Sequence, residues 1–267
     1  MVDSGQSSVR LLGSTPAQRS WDQEYGTDWN SQHSVPHEAL VPMKLALVLD
    51  FDGTITTSDI GVEIIKKFAG SGWEEGLNRW RAGKINQSQL MEWEFSRLPR
   101  EQATEMRDFA LTEAEVRPGF KGLLELCSAN DVPVEVVSNG MFFYIEAVLE
   151  REGLSDLAFV APIPTLAGLG PDAGPVVEFG DGVETCDRTG LCKCARAQKL
   201  RGTLREGDRK VVFVGDGISD FCVADEEADF VIARSSLLDH CVEMGMAHSE
   251  FSDFDDVTRE LKLLLAR

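Results

Sequence analysis

Two aspartates follow an unbroken run of apolar residues near position 50, and this arrangement most constrains the fold. The run is Leu45-Ala-Leu-Val-Leu49; Asp50 ends it, and Asp52 lies two positions later. A strand without polar alternation is typical of a parallel sheet buried on both faces. Open α/β sheets bind ligands at the carboxyl ends of such strands. The sequence therefore predicts a buried parallel strand with two carboxylates at the ligand-binding edge.

Strand and helix patterns alternate along most of the chain, which favours a doubly wound α/β fold. Apolar runs predict further strands at 132–137, 210–214 and 230–233, and a short strand is expected at 158–162. Residues 55–117 contain several helical patterns and no convincing strand pattern. We therefore expect a parallel sheet with a small helical segment, here called the cap, inserted after the first strand.

These patterns divide the chain into three parts. We expect a core domain formed by residues 43–54 and 118–267, with the cap at 55–117. Residues 1–42 are rich in Ser, Gly, Gln, Asn and Pro and have no sustained period, which predicts a disordered leader. Three aromatic residues spaced four apart leave a docked helical turn as the alternative for this leader.

Composition and charge exclude several classes of protein. Hydrophobic residues make up 43% of the 267 residues, so the chain can bury a sizeable core. The net charge of −19 disfavours nucleic acid and anionic membrane as partners. No apolar segment reaches the ~18 residues that span a bilayer, and the first residues lack the apolar centre of a signal peptide. We expect a cytoplasmic protein whose six cysteines are reduced.

Polar residues also follow two later strands, and the three strand ends should meet at one edge of the sheet. Ser138-Asn-Gly140 follows the second strand, and Asp216 and Asp220 follow the strand at 210–214. Phosphoryl transfer needs a nucleophile, a metal ion and donors around the phosphate oxygens. Asp50 can be the nucleophile, and carboxylate oxygens suit Mg²⁺. The sequence thus predicts a magnesium-dependent site for phosphoryl transfer.

The same residues resemble, in order, the four motifs of the haloacid dehalogenase superfamily of phosphatases. The matching segments are Asp50-Phe-Asp-Gly-Thr54, Ser138-Asn-Gly140, Lys193 and Gly215-Asp-Gly-Ile-Ser-Asp220, within a resemblance that covers roughly residues 44–235. It implies a Rossmann-like core, Mg²⁺ and a phosphomonoesterase that hydrolyses a small phosphorylated metabolite through an aspartyl-phosphate intermediate. A phosphomutase and a non-catalytic binding protein on the same fold remain the alternatives.

The resemblance also implies roles for individual residues. Asp50 would be the nucleophile, Asp52 the acid and base, and Lys193 the catalytic cation. The residues placed at the metal are Asp50, Asp52 through its backbone carbonyl, Asp216 and, in support of the site, Asp220. The residues placed at the phosphate are Thr54, Ser138, Asn139 and Gly140. Asn139 departs from the motif, because many relatives have glycine there.

Finer features resemble the methionine-salvage branch of the phosphoserine phosphatase-like subfamily, which dephosphorylates a methylthiopentenyl phosphate. They are the segments 138–143, 215–222 and 232–241 and the pair Cys192-Lys193. The pattern Gly-Asp-Gly-x-x-Asp-Phe-Cys is also similar to phosphocholine and phosphoethanolamine phosphatases. The identity of the substrate therefore stays open.

Three basic residues compete for the role of the cation that reaches Asp50 and the phosphate. Lys193, Arg196 and Lys199 all lie on one predicted helix. Apolar residues four, seven and eleven positions after Lys193 form one helical stripe, which places Lys193 in the first turn, near the sheet edge. We favour Lys193, with Arg196 as the alternative.

Two further groups of residues have two interpretations each. A zinc site commonly uses four ligands in Cys-x₂₋₄-Cys pairs, a spacing absent from Cys186, Cys192 and Cys194, which favours a non-ligating cluster. Aromatic and basic residues of the cap could meet the substrate, or they could pack between helices and face solvent. They are Trp73, Trp80, Trp93, Arg79, Arg81 and Lys84.

Overall fold

A six-stranded parallel sheet forms the centre of the fold, and the predicted first strand lies inside it. The computed structural model describes residues 44–164, 177–202 and 209–267. The predicted leader, residues 1–42, lies outside the described residues. The strands in chain order are β1 (Leu45–Leu49), β2 (Val134–Val137), β3 (Phe159–Val160), β4 (Ile163–Pro164), β5 (Val177–Glu178), β6 (Thr185–Cys186), β7 (Gly190–Leu191), β8 (Lys210–Gly215), β9 (Phe230–Ala233) and β10 (His248–Glu250).

The main sheet has the strand order β10-β9-β8-β1-β2-β3, and every pairing in it is parallel. Strand β1 therefore has β8 on one side and β2 on the other, so the three polar strand ends lie next to one another. Two short antiparallel pairs, β4–β5 and β6–β7, stand apart from this sheet. The predicted α/β fold class is confirmed.

Ten α-helices surround the sheet in the part of the chain that the structure describes. They are α1 (Ile60–Phe68), α2 (Trp73–Arg81), α3 (Gln87–Phe95), α4 (Ala103–Glu113), α5 (Phe120–Ala129), α6 (Phe142–Arg151), α7 (Lys193–Arg201), α8 (Phe221–Glu226), α9 (Ser235–Met244) and α10 (Phe254–Leu265). The first four belong to the cap, where only helices were expected. Thr56 and Val116 form an antiparallel bridge that joins the two ends of the cap. None of these helices is long and apolar enough to cross a membrane.

The helices bury apolar residues against both faces of the sheet. On one face, Leu47 and Leu49 join a cluster with residues of α1, α4, α5, α6 and α10. On the other face, Val48 joins a cluster with residues of α7, α8 and α9. Successive residues of a strand point to opposite faces, so both sets must be apolar when both faces are covered. This arrangement explains the unbroken apolar run that precedes Asp50.

The sequence patterns missed helix α9 and strand β10. Strand β10 consists of His248, Ser249 and Glu250 and lies at the edge of the sheet, where a strand needs no apolar alternation. The pair β4–β5 flanks residues 165–176, which lie outside the described residues.

A buried ion pair ties helix α7 to strand β2. The Nε of Arg196 donates to Oε2 of Glu135 at 3.0 Å, and its Nη2 donates to Oε1 of the same carboxylate. Only 10% of the Arg196 side chain and 8% of the Glu135 side chain are exposed. Such a bidentate pair fixes both the position and the rotation of the helix start.

We predict that Arg196→Ala lowers the free energy of unfolding by about 3–5 kcal/mol, because it leaves the Glu135 carboxylate buried without its partner. Arg188→Ala is the matched control. Its ion pair with Glu226 is exposed, at 59% and 52% of the two side chains, and should contribute no more than about 1 kcal/mol. Urea denaturation of the two variants measures the difference; equal effects would contradict the prediction.

Candidate active site

The carboxyl edge of the sheet and the cap enclose a cavity of about 350 Å³. The predicted site residues that line it are Asp50, Asp52, Ser138, Asn139, Gly140 and Asp216. Three other predicted residues, Thr54, Lys193 and Asp220, lie behind this lining and are almost fully buried. The fold thus brings residues from three strand ends and the start of α7 to one place.

The ammonium group of Lys193 lies between two carboxylates beneath the cavity. Its Nζ is 2.6 Å from Oδ1 of Asp50 and 2.5 Å from Oδ1 of Asp220, and only 1% of the side chain is exposed. The other two candidate cations lie elsewhere. Arg196 is engaged with Glu135, and Lys199 is exposed.

Burial and charge act in opposite directions on these groups. Burial opposes the charge on Lys193, but attraction to Asp220 and Asp50 outweighs it and raises the pKa of the lysine. Burial raises the pKa of Asp50 well above its usual value, and repulsion from Asp220 and Asp216 adds to this effect. The attraction of Lys193 only partly offsets that rise. Negative charge at this edge therefore exceeds what one lysine can balance.

Asp216 and Asp220 lie in the turn after β8 and have different surroundings. Oδ2 of Asp220 accepts from the backbone N–H groups of Asp216 (3.0 Å) and Gly217 (3.1 Å), so this side chain shapes the turn. Asp216 instead faces the cavity and accepts from the Thr54 hydroxyl at 3.4 Å. Burial, together with repulsion from Asp220, raises the pKa of Asp216 to about 6.

The carboxylates of Asp50, Asp216 and Asp220 could hold a divalent cation. One oxygen from each lies within 4.8 Å of the others. Gly53, at φ 75°, passes so close to Asp216 that a Cβ atom there would overlap the carboxylate. An all-oxygen set of negative ligands suits Mg²⁺. These residues therefore fit the ion that the sequence predicted, with Asp216 and Asp50 facing the cavity.

The Asp52 carboxylate lies outside that group and is held by three donors. Its Oδ1 accepts from the backbone N–H groups of Ile60 (2.9 Å) and Gly61 (3.4 Å), and its Oδ2 accepts from the Tyr144 hydroxyl (2.5 Å). Burial, and then repulsion from Asp59, raises the pKa of Asp52 to about 8 despite these bonds. Such a carboxyl group can carry a proton at neutral pH and donate it.

The residues after β2 offer donors to the cavity. Ser138 is almost fully buried, and its Oγ accepts from the backbone N–H of Gly140 at 3.0 Å. Asn139 accepts from the backbone N–H of Leu191 at 3.2 Å through Oδ1. Among the described residues, its buried Nδ2 has no hydrogen-bond partner. This amide nitrogen is therefore available to a ligand.

The sequence patterns did not identify Arg117, which holds the segment after the first strand. Its guanidinium group donates to the carbonyl oxygens of Gly53 (3.0 Å), Thr54 (3.0 Å) and Thr56 (3.3 Å), and also to that of Ser252 (3.0 Å). No local pattern around position 117 marks this role, since its partners lie far away in sequence.

One of the three cysteines considered from the sequence, Cys194, lies next to a fourth cysteine, Cys222. Sγ of Cys194 lies 3.2 Å from Sγ of Cys222, and a carboxylate oxygen of Glu226 completes a set whose ligand atoms all lie within 4.8 Å of one another. Cys186 and Cys192 do not belong to this set. The Glu226 carboxylate also forms an ion pair with Arg188 at 2.8 Å.

The aromatic and basic cap residues, for which two interpretations were given, have different surroundings in the structure. Trp80 lines the cavity. Trp93 instead stacks against the guanidinium groups of Arg79 (4.7 Å) and Arg97 (4.4 Å). The cavity lining contains none of the three basic cap residues.

Comparison with known proteins supplies the family. The sequence model of the haloacid dehalogenase-like hydrolases matches residues 47–225. The 2-hydroxy-3-keto-5-methylthiopentenyl-1-phosphate phosphatase of Geobacillus thermodenitrificans strain NG80-2 is 32% identical over 224 residues, which cover 83% of this chain and 97% of that protein. The bifunctional enzyme MtnB/MtnX of Bacillus licheniformis is 32% identical over 232 residues, which cover 82% of this chain but only 49% of that enzyme.

A solved structure of a phospho-aspartyl intermediate analogue of phosphoserine phosphatase has the same fold. Its TM-score is 0.58 at 19% identity, with 82% of this chain and 99% of that chain covered. The resemblance inferred from the four motifs is thus confirmed by the family match and by the relatives. The chain belongs to the haloacid dehalogenase-like hydrolase family and is an enzyme of its phosphatase type.

Proposed function

We propose that this enzyme is a Mg²⁺-dependent phosphomonoesterase that forms an aspartyl-phosphate intermediate on Asp50. The observation that carries the proposal is a difference in charged surroundings between Asp50 and Asp52, two carboxyl groups that line one cavity. Burial raises the pKa of Asp50, but the buried ammonium group of Lys193 acts against that rise, and a bound divalent cation would add to its effect, so that Asp50 would be ionised in the metal-bound enzyme. Among the described residues no cation pairs with Asp52, and its pKa of about 8 favours the protonated form. A nucleophile and an acid are thereby distinguished by their surroundings.

The metal would be held by Asp50, Asp216 and the backbone carbonyl of Asp52. Asp220 would support the site through its bonds to the turn and to Lys193. When bound, Mg²⁺ would offset the negative charge that the carboxylates and the phosphoryl group bring together.

The remaining chemistry would be done by side chains. Asp50 attacks phosphorus, and the bond to the leaving oxygen breaks as Asp52 gives that oxygen its proton. A water molecule then attacks the phosphorus of the aspartyl-phosphate while the Asp52 carboxylate takes its proton, and the bond between phosphorus and the Asp50 oxygen breaks. Free phosphate leaves, and both aspartates return to their starting forms.

The phosphate oxygens would be bound by groups after β2, while Lys193, which lies behind the cavity lining, would act through its charge. Ser138 and Asn139 line the cavity, and the amide nitrogen of Asn139 lacks a partner among the described residues, which supports this role. Gly140 also lines the cavity, and a Cβ atom there would overlap Oδ2 of Asp52. Thr54 is the weaker candidate, because its hydroxyl donates to Asp216 and its side chain is not part of the lining.

The substrate would be a small phosphomonoester with an apolar part. The cap side of the cavity is mostly apolar, with lining residues Val62, Ile65, Leu77, Trp80, Leu90, Met91 and Phe95. Asp59 and Glu94 are acids on the same wall. The named relatives act on 2-hydroxy-3-keto-5-methylthiopentenyl-1-phosphate, whose methylthio end suits an apolar wall. This compound is the first candidate substrate.

We predict that Asp50→Asn abolishes phosphate release and that Asp52→Asn slows it by about 10²–10⁴-fold, as expected for a lost acid. The assay measures phosphate released from the candidate substrate, phosphoserine, phosphocholine, phosphoethanolamine and sugar phosphates. Asp108→Asn, an exposed aspartate on α4, is the matched control and should keep full activity. Undiminished turnover by Asp50→Asn would refute the covalent intermediate, and isomerised substrate without free phosphate would indicate a phosphomutase.

A second prediction concerns the metal. Excess chelator should abolish phosphate release and added Mg²⁺ should restore it, since three carboxylates otherwise repel one another at this edge. Asp216→Ala should raise the Mg²⁺ concentration needed for half-maximal rate, while Asp239→Ala on α9 should not. Full activity in excess chelator would show that the proposed metal has no role.

A further inference from the structure

Tyr144 has no part in the mechanism proposed above, yet its hydroxyl contacts the proposed acid. The side chain is fully buried in the first turn of α6, and its O–H donates to Oδ2 of Asp52 at 2.5 Å. The ring packs against Phe51 and Phe143, with centroid distances of 6.3 Å and 5.6 Å. These rings fix the direction of the hydroxyl, so its position does not depend on a flexible side chain.

Two glycines from different segments leave room for this hydroxyl. A Cβ atom at Gly140 would overlap both the Tyr144 hydroxyl and Oδ2 of Asp52. A Cβ atom at Gly61 would lie 3.0 Å from the hydroxyl, closer than ordinary van der Waals contact allows. The segment after β2 and the first turn of α1 therefore both lack a side chain where the tyrosine reaches Asp52.

The tyrosine completes the set of donors that orient the carboxyl group. Backbone N–H groups of Ile60 and Gly61 bind one oxygen, and the Tyr144 hydroxyl binds the other. Bonds to both oxygens resist rotation of the group about its Cβ–Cγ bond. Among these donors, only the tyrosine hydroxyl belongs to a side chain.

We infer that Tyr144 is a positioning residue for proton transfer from Asp52, an inference that rests on the proposed function. As the leaving oxygen departs from phosphorus, it takes the proton of Asp52, and the electron pair of that O–H bond stays on the carboxylate. The Tyr144 hydroxyl keeps its own proton and continues to donate. Hydrogen bonds to an ionised acceptor are the stronger ones, so this bond strengthens as the proton leaves.

The test is the dependence of kcat/KM on the leaving group in Tyr144→Phe, which removes only the hydroxyl. With 4-nitrophenyl phosphate, whose leaving group departs without a proton, kcat/KM should stay within about threefold of the wild type. With benzyl phosphate, a poor leaving group, it should fall by about tenfold or more. Thr112→Val, which removes a hydroxyl on α4 bonded to the Asp108 carbonyl, should change neither value.

A double-mutant cycle shows whether Tyr144 acts through Asp52. On the Asp52→Asn background, Tyr144→Phe should cause no further loss with benzyl phosphate, because the proton is already absent. Gly61→Ala keeps the tyrosine but crowds its hydroxyl; it should give a smaller loss of the same kind, and it serves if Tyr144→Phe folds poorly. Equal losses with both substrates, or additive losses in the double variant, would overturn the inference and leave the proposed function intact. If Asp52→Asn itself showed no dependence on the leaving group, the proposed acid would be wrong.

Discussion

One buried ammonium group, that of Lys193, sits between the carboxylates of Asp50 and Asp220, and the arrangement of the site depends on it. Burying a charge without a partner is costly, and this cluster brings several like charges together. Lys193 is the cation bonded to two of them, and it links the end of β1 to the turn after β8. The surplus negative charge explains why the site suits a divalent cation and, beyond it, a phosphate held by neutral donors.

The order of the strands makes this arrangement possible. Strand β1 pairs with β8 on one side and with β2 on the other, so the segments after all three end within reach of one another. Helix α7 starts beneath the same edge, and the Arg196–Glu135 pair fixes its rotation. Lys193 is the first residue of that helix, so a shift of the helix would remove the ammonium group from both aspartates.

Much of this could be predicted from the sequence, because buried parallel strands and their polar endings leave a strong local signal. The apolar stripe favoured Lys193 as the cation at Asp50 but could not exclude Arg196, since both lie on one helix three positions apart. In the structure, Arg196 pairs with Glu135, an acid in an otherwise apolar strand. A buried acid needs a cation as its partner, and Arg196 is therefore engaged away from Asp50. Tyr144 is 92 positions from Asp52, and Cys222 is 28 from Cys194. No periodicity within a segment reports such contacts.

Arg117 has a consequence for the order in which the site forms. It binds the carbonyl oxygens that follow the first motif, and its Nη1 also binds the carbonyl oxygen of Ser252, 135 positions later in the chain. The backbone N–H of Phe254 donates to the carbonyl oxygen of Pro118 beside it. During synthesis on the ribosome, β1 and its aspartates emerge long before these partners. We therefore expect the segment around Gly53 to acquire its final conformation late, so that a nascent chain does not hydrolyse phosphate esters before the sheet is complete.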